Sequence, residues 1–370
     1  MEFTQTVDRS LLHRWALSEV FLTDARRVNA SEYLAAAQLP AAHGYYTERS
    51  ARLGVPDPLL LLECARQAET YGGHVFFDVA RDTKFLLRSW SMTLPGLLTA
   101  PRGDRPGELT MRVRTGNRRG AAGDVRRLTY EVELELFAHR LGQVTIDVGY
   151  IPGAVYDTVR ERGRGRPLTP FAEIDRGPAP VDPHLVGRSD PANVVLGEVT
   201  VGPDGASATI RPPVDHRSMF DHAQDHLPGM VLMEAARQLC LLAGSDLFGA
   251  SVPRTTVVGF DFSFTRYAEL DSRTTVHVRK AEAYAPGGED EFRSVLAHVR
   301  TFHLEFTQDS EVIAAGRMHT ATSALAAAAH PAPGTRSPTV PPSETRAQPH
   351  SHTHPEPPSG PGAERAGERA

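Results

Sequence analysis

Alternation of apolar and polar side chains is most regular at residues 128–136. There Leu128, Tyr130, Val132, Leu134 and Leu136 interleave with Thr129, Glu131, Glu133 and Glu135. A two-residue period marks a strand with one face in a core and the other in water. Residues 109–115 repeat it, with Leu109, Met111 and Val113 set against Thr110, Arg112 and Arg114. Apolar runs at 75–79, 85–94 and 144–151 predict further strands. Residues 59–71 (LLLLECARQAETY) predict a helix instead. Asp57 stands near the N-cap position, Pro58 suits the first turn, and Gly72-Gly73 predict the end. Upstream, residues 13–24 mix strand and helix signals, 33–38 form a short Ala-rich run, and 43–46 (HGYY) read as a loop.

The second half follows the same course. Residues 194–201 predict a strand. Three acid–histidine pairs come next, Asp215-His216, Asp221-His222 and Asp225-His226, followed by Pro228-Gly229. The helix after them is almost wholly apolar, yet it carries Glu234, Arg237 and Gln238. Strand patterns return at 255–264, 274–279, 292–306 and 312–320. The two helices share E-x-A-R-Q, and Glu63 and Glu234 are 171 residues apart. This repetition predicts a tandem duplication of α+β class, with one central helix per repeat packed on an antiparallel sheet. The expected division is a first repeat at 1–158, an Arg/Gly/Pro-rich linker on the surface at 159–190, and a second repeat at 191–322. Residues 323–370, rich in Ala, Pro, Gly, Ser and His, are expected to form a disordered tail.

Composition narrows the function classes. A chain of 370 residues with 40% hydrophobic and 23% charged content fits a soluble protein of about two domains. A net charge of -5 gives no basic surface for nucleic acid. The Arg-Gly run at 162–166 lacks the interleaved aromatics of a single-strand-binding segment. No stretch approaches the ~20 apolar residues of a membrane span. Residues 1–12 lack a signal-peptide core, so a cytoplasmic location is expected. Cys64 and Cys240 form neither a disulfide framework nor a CxxC pair. His216, His222 and His226 do not match a compact metal signature, and the cluster of His350, His352 and His354 reads as solvated tail. No metal or cofactor is expected. Lys84 and Lys280 are the only lysines. An arginine-dominated basic set suits bidentate binding of carboxylate or phosphate, although a GC-rich genome explains the bias equally well.

The helix motif carries the candidate chemistry. Positions i, i+3 and i+4 share a face, which groups Glu234 with Arg237 and Gln238, and Glu63 with Arg66 and Gln67. A carboxylate in apolar surroundings is expected to have a raised pKa, suited to general-base work on an alcohol. The first N–H groups of the helix, from Gly229 on, are placed to polarise a thioester carbonyl and hold its oxyanion. Arg66 and Arg237 either clamp a substrate phosphate or pair with the glutamates and bridge the repeats. The acid–histidine pairs fix an imidazole tautomer or a loop geometry.

The pattern P-G-x-x-x-x-E-A-x-x-Q at 228–238 resembles that of the β-hydroxyacyl carrier-protein dehydratases, which have the hotdog fold. Over roughly residues 10–320, the chain more closely resembles the A-factor biosynthesis (AfsA-like) family, which makes gamma-butyrolactone autoregulators in actinomycetes. The residues that carry this resemblance are His13 to Val20 with Phe21-Leu22-Thr23-Asp24, Asp57-Pro58-Leu59-Leu60 with Glu63 and Arg66-Gln67, and DHAQDHLPGMVLMEAARQ at 221–238. The resemblance implies a tandem (double) hotdog and acyl transfer. A β-ketoacyl group would move from a carrier-protein or CoA thioester to the hydroxyl of dihydroxyacetone phosphate, in a monomeric double hotdog or a homodimer. It implies Glu63, Glu234, His222 and His226 as catalytic residues, and Arg66, Gln67, Arg237, Gln238, His43, Asp225 and Gly229 as substrate-binding ones.

In the dehydratases a loop histidine acts with an acid from the other helix. By that analogy the loop of His222 and His226 faces Glu63, and the loop of His43 faces Glu234. Two departures stand against dehydratase chemistry. Phe220 occupies the dehydratase histidine position, with His222 two residues later, and the first repeat has Asp57-Pro58 in place of Pro-Gly. A hotdog thioesterase or dehydratase, or a non-catalytic protein that binds an acyl ligand, is the alternative.

Overall fold

A computed structural model of the chain describes residues 1–49, 54–101, 106–119, 125–283 and 297–323. The tail, from residue 324 on, and residues 292–296 of the predicted strand lie outside the described residues.

The first half contains β1 (Leu22–Asn29), β2 (Glu32–Leu39), α1 (Pro58–Phe76), β3 (Lys84–Thr93), β4 (Gly107–Arg119), β5 (Val125–Leu136), β6 (His139–Ile151) and α2 (Gly153–Arg164). The second contains β7 (Leu196–Gly202), β8 (Gly205–Ile210), α3 (Gly229–Phe248), β9 (Thr255–Phe264), β10 (Thr275–Ala283), β11 (Ala297–Gln308) and β12 (Glu311–Ser323). The strands form one sheet in the order β1-β2-β4-β5-β6-β3-β9-β12-β11-β10-β8-β7. Read inward from either edge, the connectivity is the same. β3 and β9 pair antiparallel at the centre, with Trp90 opposite Phe262 and Met92 opposite Phe260. The duplication read from E-x-A-R-Q therefore folds as two like halves of one continuous sheet.

Each long helix packs on its own half: α1 on β1, β2 and β6, and α3 on β7, β8, β10 and β12. One helix across an antiparallel sheet, twice over, is the double hotdog arrangement. The helices are buried because their apolar residues leave little room for a solvated face. Every α3 residue from Met230 to Gly244 is buried. No described helix is long and apolar enough to cross a membrane.

Local chemistry explains where α1 begins and why it runs past its predicted end. The Asp57 side chain accepts from the Leu59 N–H at 2.8 Å, and Pro58 occupies the first turn. Gly72-Gly73 do not stop it. A Cβ on Gly72 would lie 2.4 Å from the Tyr33 hydroxyl, which crosses the helix there and donates to the Ala68 carbonyl at 2.8 Å. The glycine serves a close approach, and the run at 75–79 becomes the last helical turn and a loop instead of a strand.

The segment expected as a surface linker at 159–190 is tied down at both ends. The boundary at 158/159 falls inside α2. Arg160 is buried, meeting Asp225 at 3.0 Å and Glu269 at 2.6 Å. Arg188, near the other end, is fully buried. Carboxylates distant in sequence draw these arginines inward.

Candidate functional site

A cavity of about 1070 Å³ lies between α1 and the loop that leads into α3. Arg14, Arg66, Glu69, His222, His226, Pro228 and Gly229 line it, with an apolar wall from Leu87, Trp90, Ile146, Val148 and Met230. The second repeat's loop thus meets the first repeat's helix, but Glu63, which the analogy sets opposite His222 and His226, does not line the cavity.

Both motif glutamates are fully buried and held by guanidinium groups. Glu63 accepts from Arg14 at 2.6 Å, from Arg66 at 2.8 Å on each oxygen, and from Gln67 at 2.8 Å. Burial pushes its carboxyl up, but Arg14 and Arg66 outweigh that and bring it to about 2. Glu234 accepts from Arg188 at 2.9 Å, Tyr45 at 2.8 Å, Arg237 at 2.9 Å and Gln238 at 2.5 Å. Burial is again outweighed, by Arg188 and Arg237, and this carboxyl also rests at about 2. The expectation of a raised pKa is thereby corrected for both. Apolar surroundings in sequence did not reveal that arginines from elsewhere arrive to neutralise the charge.

The two glutamates differ in what surrounds them. Arg237 continues from Glu234 to Asp57, the α1 cap, at 2.6 Å, so it bridges the repeats. The Arg188 guanidinium lies 4.4 Å from the centre of the Tyr45 ring. Protein groups fill this region, and neither Glu234 nor Arg237 lines the cavity. The first repeat has His43-Gly44-Tyr45-Tyr46-Thr47-Glu48 where the second has His216-Arg217-Ser218-Met219-Phe220-Asp221. Glu48 accepts from the N–H of Asp190 at 2.8 Å, and Asp221 likewise from that of Ala16 at 2.9 Å. Tyr45 therefore corresponds to Ser218. The tyrosine closes the Glu234 side, whereas Ser218 lines the cavity on the other.

Gln67 and Gln238 also turn out to be structural. Gln67 accepts from the N–H of Phe21 and donates to the Glu19 carbonyl, while Gln238 does the same with Val195 and Asn193. The His43 ring accepts from the N–H groups of Tyr45 and Tyr46 at Nδ1, so Nε2 donates to Glu19 at 3.3 Å. It supports the loop, and Tyr45 reaches Glu234 instead. These four expectations of substrate contact, at Gln67, Gln238, Arg237 and His43, are corrected by polar atoms already committed to protein partners.

His222 and His226 do line the cavity, along with Asp225 and Gly229. Nδ1 of His226 meets Asp225 at 2.6 Å, and the same carboxylate accepts from Tyr156 at 2.7 Å and Arg160 at 3.0 Å. This fixes Nδ1–H as the donor in the neutral ring and leaves Nε2 as the acceptor. His222 faces Asp221 at 3.2 Å and stacks on Trp15 at 5.3 Å. Pro228 gives α3 no side-chain cap, so the N–H groups of Gly229 and Met230 stand at an open helix start.

A sequence model of the A-factor biosynthesis hotdog domain matches residues 1–151 and 171–324. The chain belongs to this family. Among its relatives, a 2-oxo-3-(phosphooxy)propyl 3-oxoalkanoate synthase of Streptomyces virginiae is 35% identical over 286 residues, covering 72% of this chain and 85% of that protein. One of the same name from Streptomyces coelicolor is 27% identical over 267 residues, covering 72% and 79%. An acyl-ACP thioesterase structure from Bacteroides thetaiotaomicron covers 78% of this chain and 97% of its own, at TM-score 0.42 and 10% identity.

In this A-factor biosynthesis protein, sequence reading missed Arg14, Tyr45, Arg188 and Glu69. The first three act on carboxylates at least 46 positions away and carry no local pattern. Glu69 did carry one: it lies on α1 six residues beyond Glu63, on a helix otherwise apolar enough to be buried.

Proposed function

We propose that this protein transfers a β-ketoacyl group from a carrier-protein or CoA thioester to the hydroxyl of dihydroxyacetone phosphate. Its relatives' shared name describes the ester such a transfer makes. The observation that carries the reading is the cavity between α1 and the loop before α3, which joins an apolar wall, an uncapped helix start and a basic rim. The acyl chain lies along Leu87, Trp90, Ile146 and Val148. The thioester carbonyl receives the N–H groups of Gly229 and Met230, where developing negative charge is stabilised. Arg9, Arg81 and Lys84 line the same cavity and suit a phosphate. His222 and His226 touch the thioester, with Nε2 of His226 accepting a substrate N–H. Glu63 keeps Arg14 and Arg66 in place.

The full-length protein is incubated with a β-ketoacyl thioester, with and without dihydroxyacetone phosphate, while free thiol and ester are followed. Thiol release that depends on the acceptor is expected. Equal release without it is the outcome of a thioesterase and would remove the reading.

A further inference from the structure

Both Glu63 oxygens accept from guanidinium groups, which hold this carboxylate ionised. Another carboxyl on the same helix is arranged differently. Glu69 lines the cavity and is 2% exposed. Among the described residues its hydrogen-bond partners are hydroxyls: Thr70 at 2.9 Å on Oε2 and Tyr150 at 3.5 Å on Oε1. The Thr70 hydroxyl also stands 3.0 Å from the Arg66 carbonyl. It has one hydrogen and two acceptors. When Glu69 is ionised, Thr70 donates to it. When Glu69 is protonated, the carboxyl donates to Thr70, and Thr70 turns to the Arg66 carbonyl. One hydroxyl rotation lets the site hold either state with its bonds made.

We propose that Glu69 is the general acid–base of the acyl transfer. Its carboxylate takes the acceptor's hydroxyl proton as that oxygen attacks the thioester carbonyl carbon, then returns the proton to sulfur as the C–S bond breaks. One C–O bond forms, one C–S bond is lost, and the hydroxyl proton ends on the thiol, with no change of oxidation state. The assignment rests on the acyl-transfer reading above.

Burial pushes the Glu69 carboxyl up to about 7, and Thr70, Arg66 and Tyr150 offset this only in part. A base poised near neutrality is the effective kind. The groups that face it are Arg66 and Thr70 on α1, Tyr150 on β6, Tyr130 on β5 and Tyr33 on β2. Shielding adds a second reason. The side chains of His222 and His226 are 23% and 30% exposed, so bulk water reaches them. A base open to water activates water and hydrolyses the thioester. A base in the wall, reached through the cavity, favours a bound alcohol.

The test compares wild type and Glu69→Gln from acid to alkaline pH, with ester and free β-keto acid measured separately. The wild type should show ester formation that rises with pH through about 7. Glu69→Gln should lower kcat by about 10²–10⁴-fold with KM for both substrates retained, and should lose that rise. Tyr150→Phe, which removes a donor to the ionised carboxyl, should move the rise to higher pH. An active Glu69→Gln enzyme with the rise intact overturns the assignment. So does a Tyr150→Phe profile that does not move, which decides the matter if Glu69→Gln does not fold. A wild type without acceptor-dependent thiol release overturns the transfer reading and this assignment with it. An active wild type with an active Glu69→Gln removes the assignment alone.

Discussion

Three buried carboxylates on two helices behave in two ways, and their partners decide which. Glu63 and Glu234 sit among guanidinium groups and stay ionised, while Glu69 sits among hydroxyls and holds a proton near neutrality. Glu234→Gln should therefore act on stability. It leaves Arg188 and Arg237 short of their shared counter-charge in a fully buried site, a loss of about 3–5 kcal/mol. Denaturant unfolding should record that loss, with turnover per folded molecule retained. Lost turnover at unchanged stability would return Glu234 to the catalytic machinery. The pH dependence has a definite sign. A folded pKa of about 2, against the ordinary 4.5, means stability present above 4.5 and lost as pH falls toward about 2. Glu69 runs the other way. With its folded pKa raised to about 7, stability falls as pH rises from 4.5 through 7. Replacing it with Gln should strengthen the fold above that range by roughly 3 kcal/mol, measured by unfolding at neutral and alkaline pH. A residue that costs stability where it stands is a mark of function.

At the scale of elements, the alternating strands and the two long helices were legible because periodicity is a local property. β9 fell where its apolar run predicted it, and β5 extends the predicted 128–136 by three residues at its start. The errors came from residues whose role was distant. Gly72 marks a helix end by local rules, yet Tyr33 from β2 required it mid-helix. The six residues of β8, with two alanines and a serine, carry too weak a pattern to call a strand. The start of α3 offers an element-scale prediction. A Cβ on Gly229 would lie 2.9 Å from Leu87 Cδ2 and 3.2 Å from Trp90 Cζ3. Trp90 is buried and has little room to move. Gly229→Ala should push the helix start out of line and lower kcat by about 10²-fold, the loss typical of one oxyanion donor. Steady-state kinetics on the folded variant checks this, and unchanged kcat would move the oxyanion site elsewhere.

Over the whole molecule, duplication made two like halves without two like sites. α1 and α3 carry the same E-x-A-R-Q face, and each glutamate receives an arginine from a loop ahead of its own sheet edge, Arg14 or Arg188. Tyr45 then fills one side, and Ser218 leaves the other open. A non-transferable analogue of the acyl thioester should accordingly bind once per chain. Equilibrium dialysis of the full chain measures this, and two equivalents would show that the Glu234 side opens.

By itself, the sequence determined the α+β class, the repeat, the two helices and the acid–histidine loop, because period, caps and a repeated motif are written along neighbouring residues. It could not separate a carboxylate kept ionised by arginines from one that keeps its proton among hydroxyls. That distinction depends on which charges and hydroxyls come within about 3 Å, since the field of a buried partner decides whether a carboxyl keeps its proton. For Glu63 and Glu234 one arginine is a helix neighbour, Arg66 or Arg237, but the second, Arg14 or Arg188, comes from 49 or 46 positions away. For Glu69 the partners include the neighbouring Thr70, but the cavity that exposes it to a substrate is built from both repeats. Only the folded sheet, which brings the second repeat's loop against the first repeat's helix, decided where the open site lies.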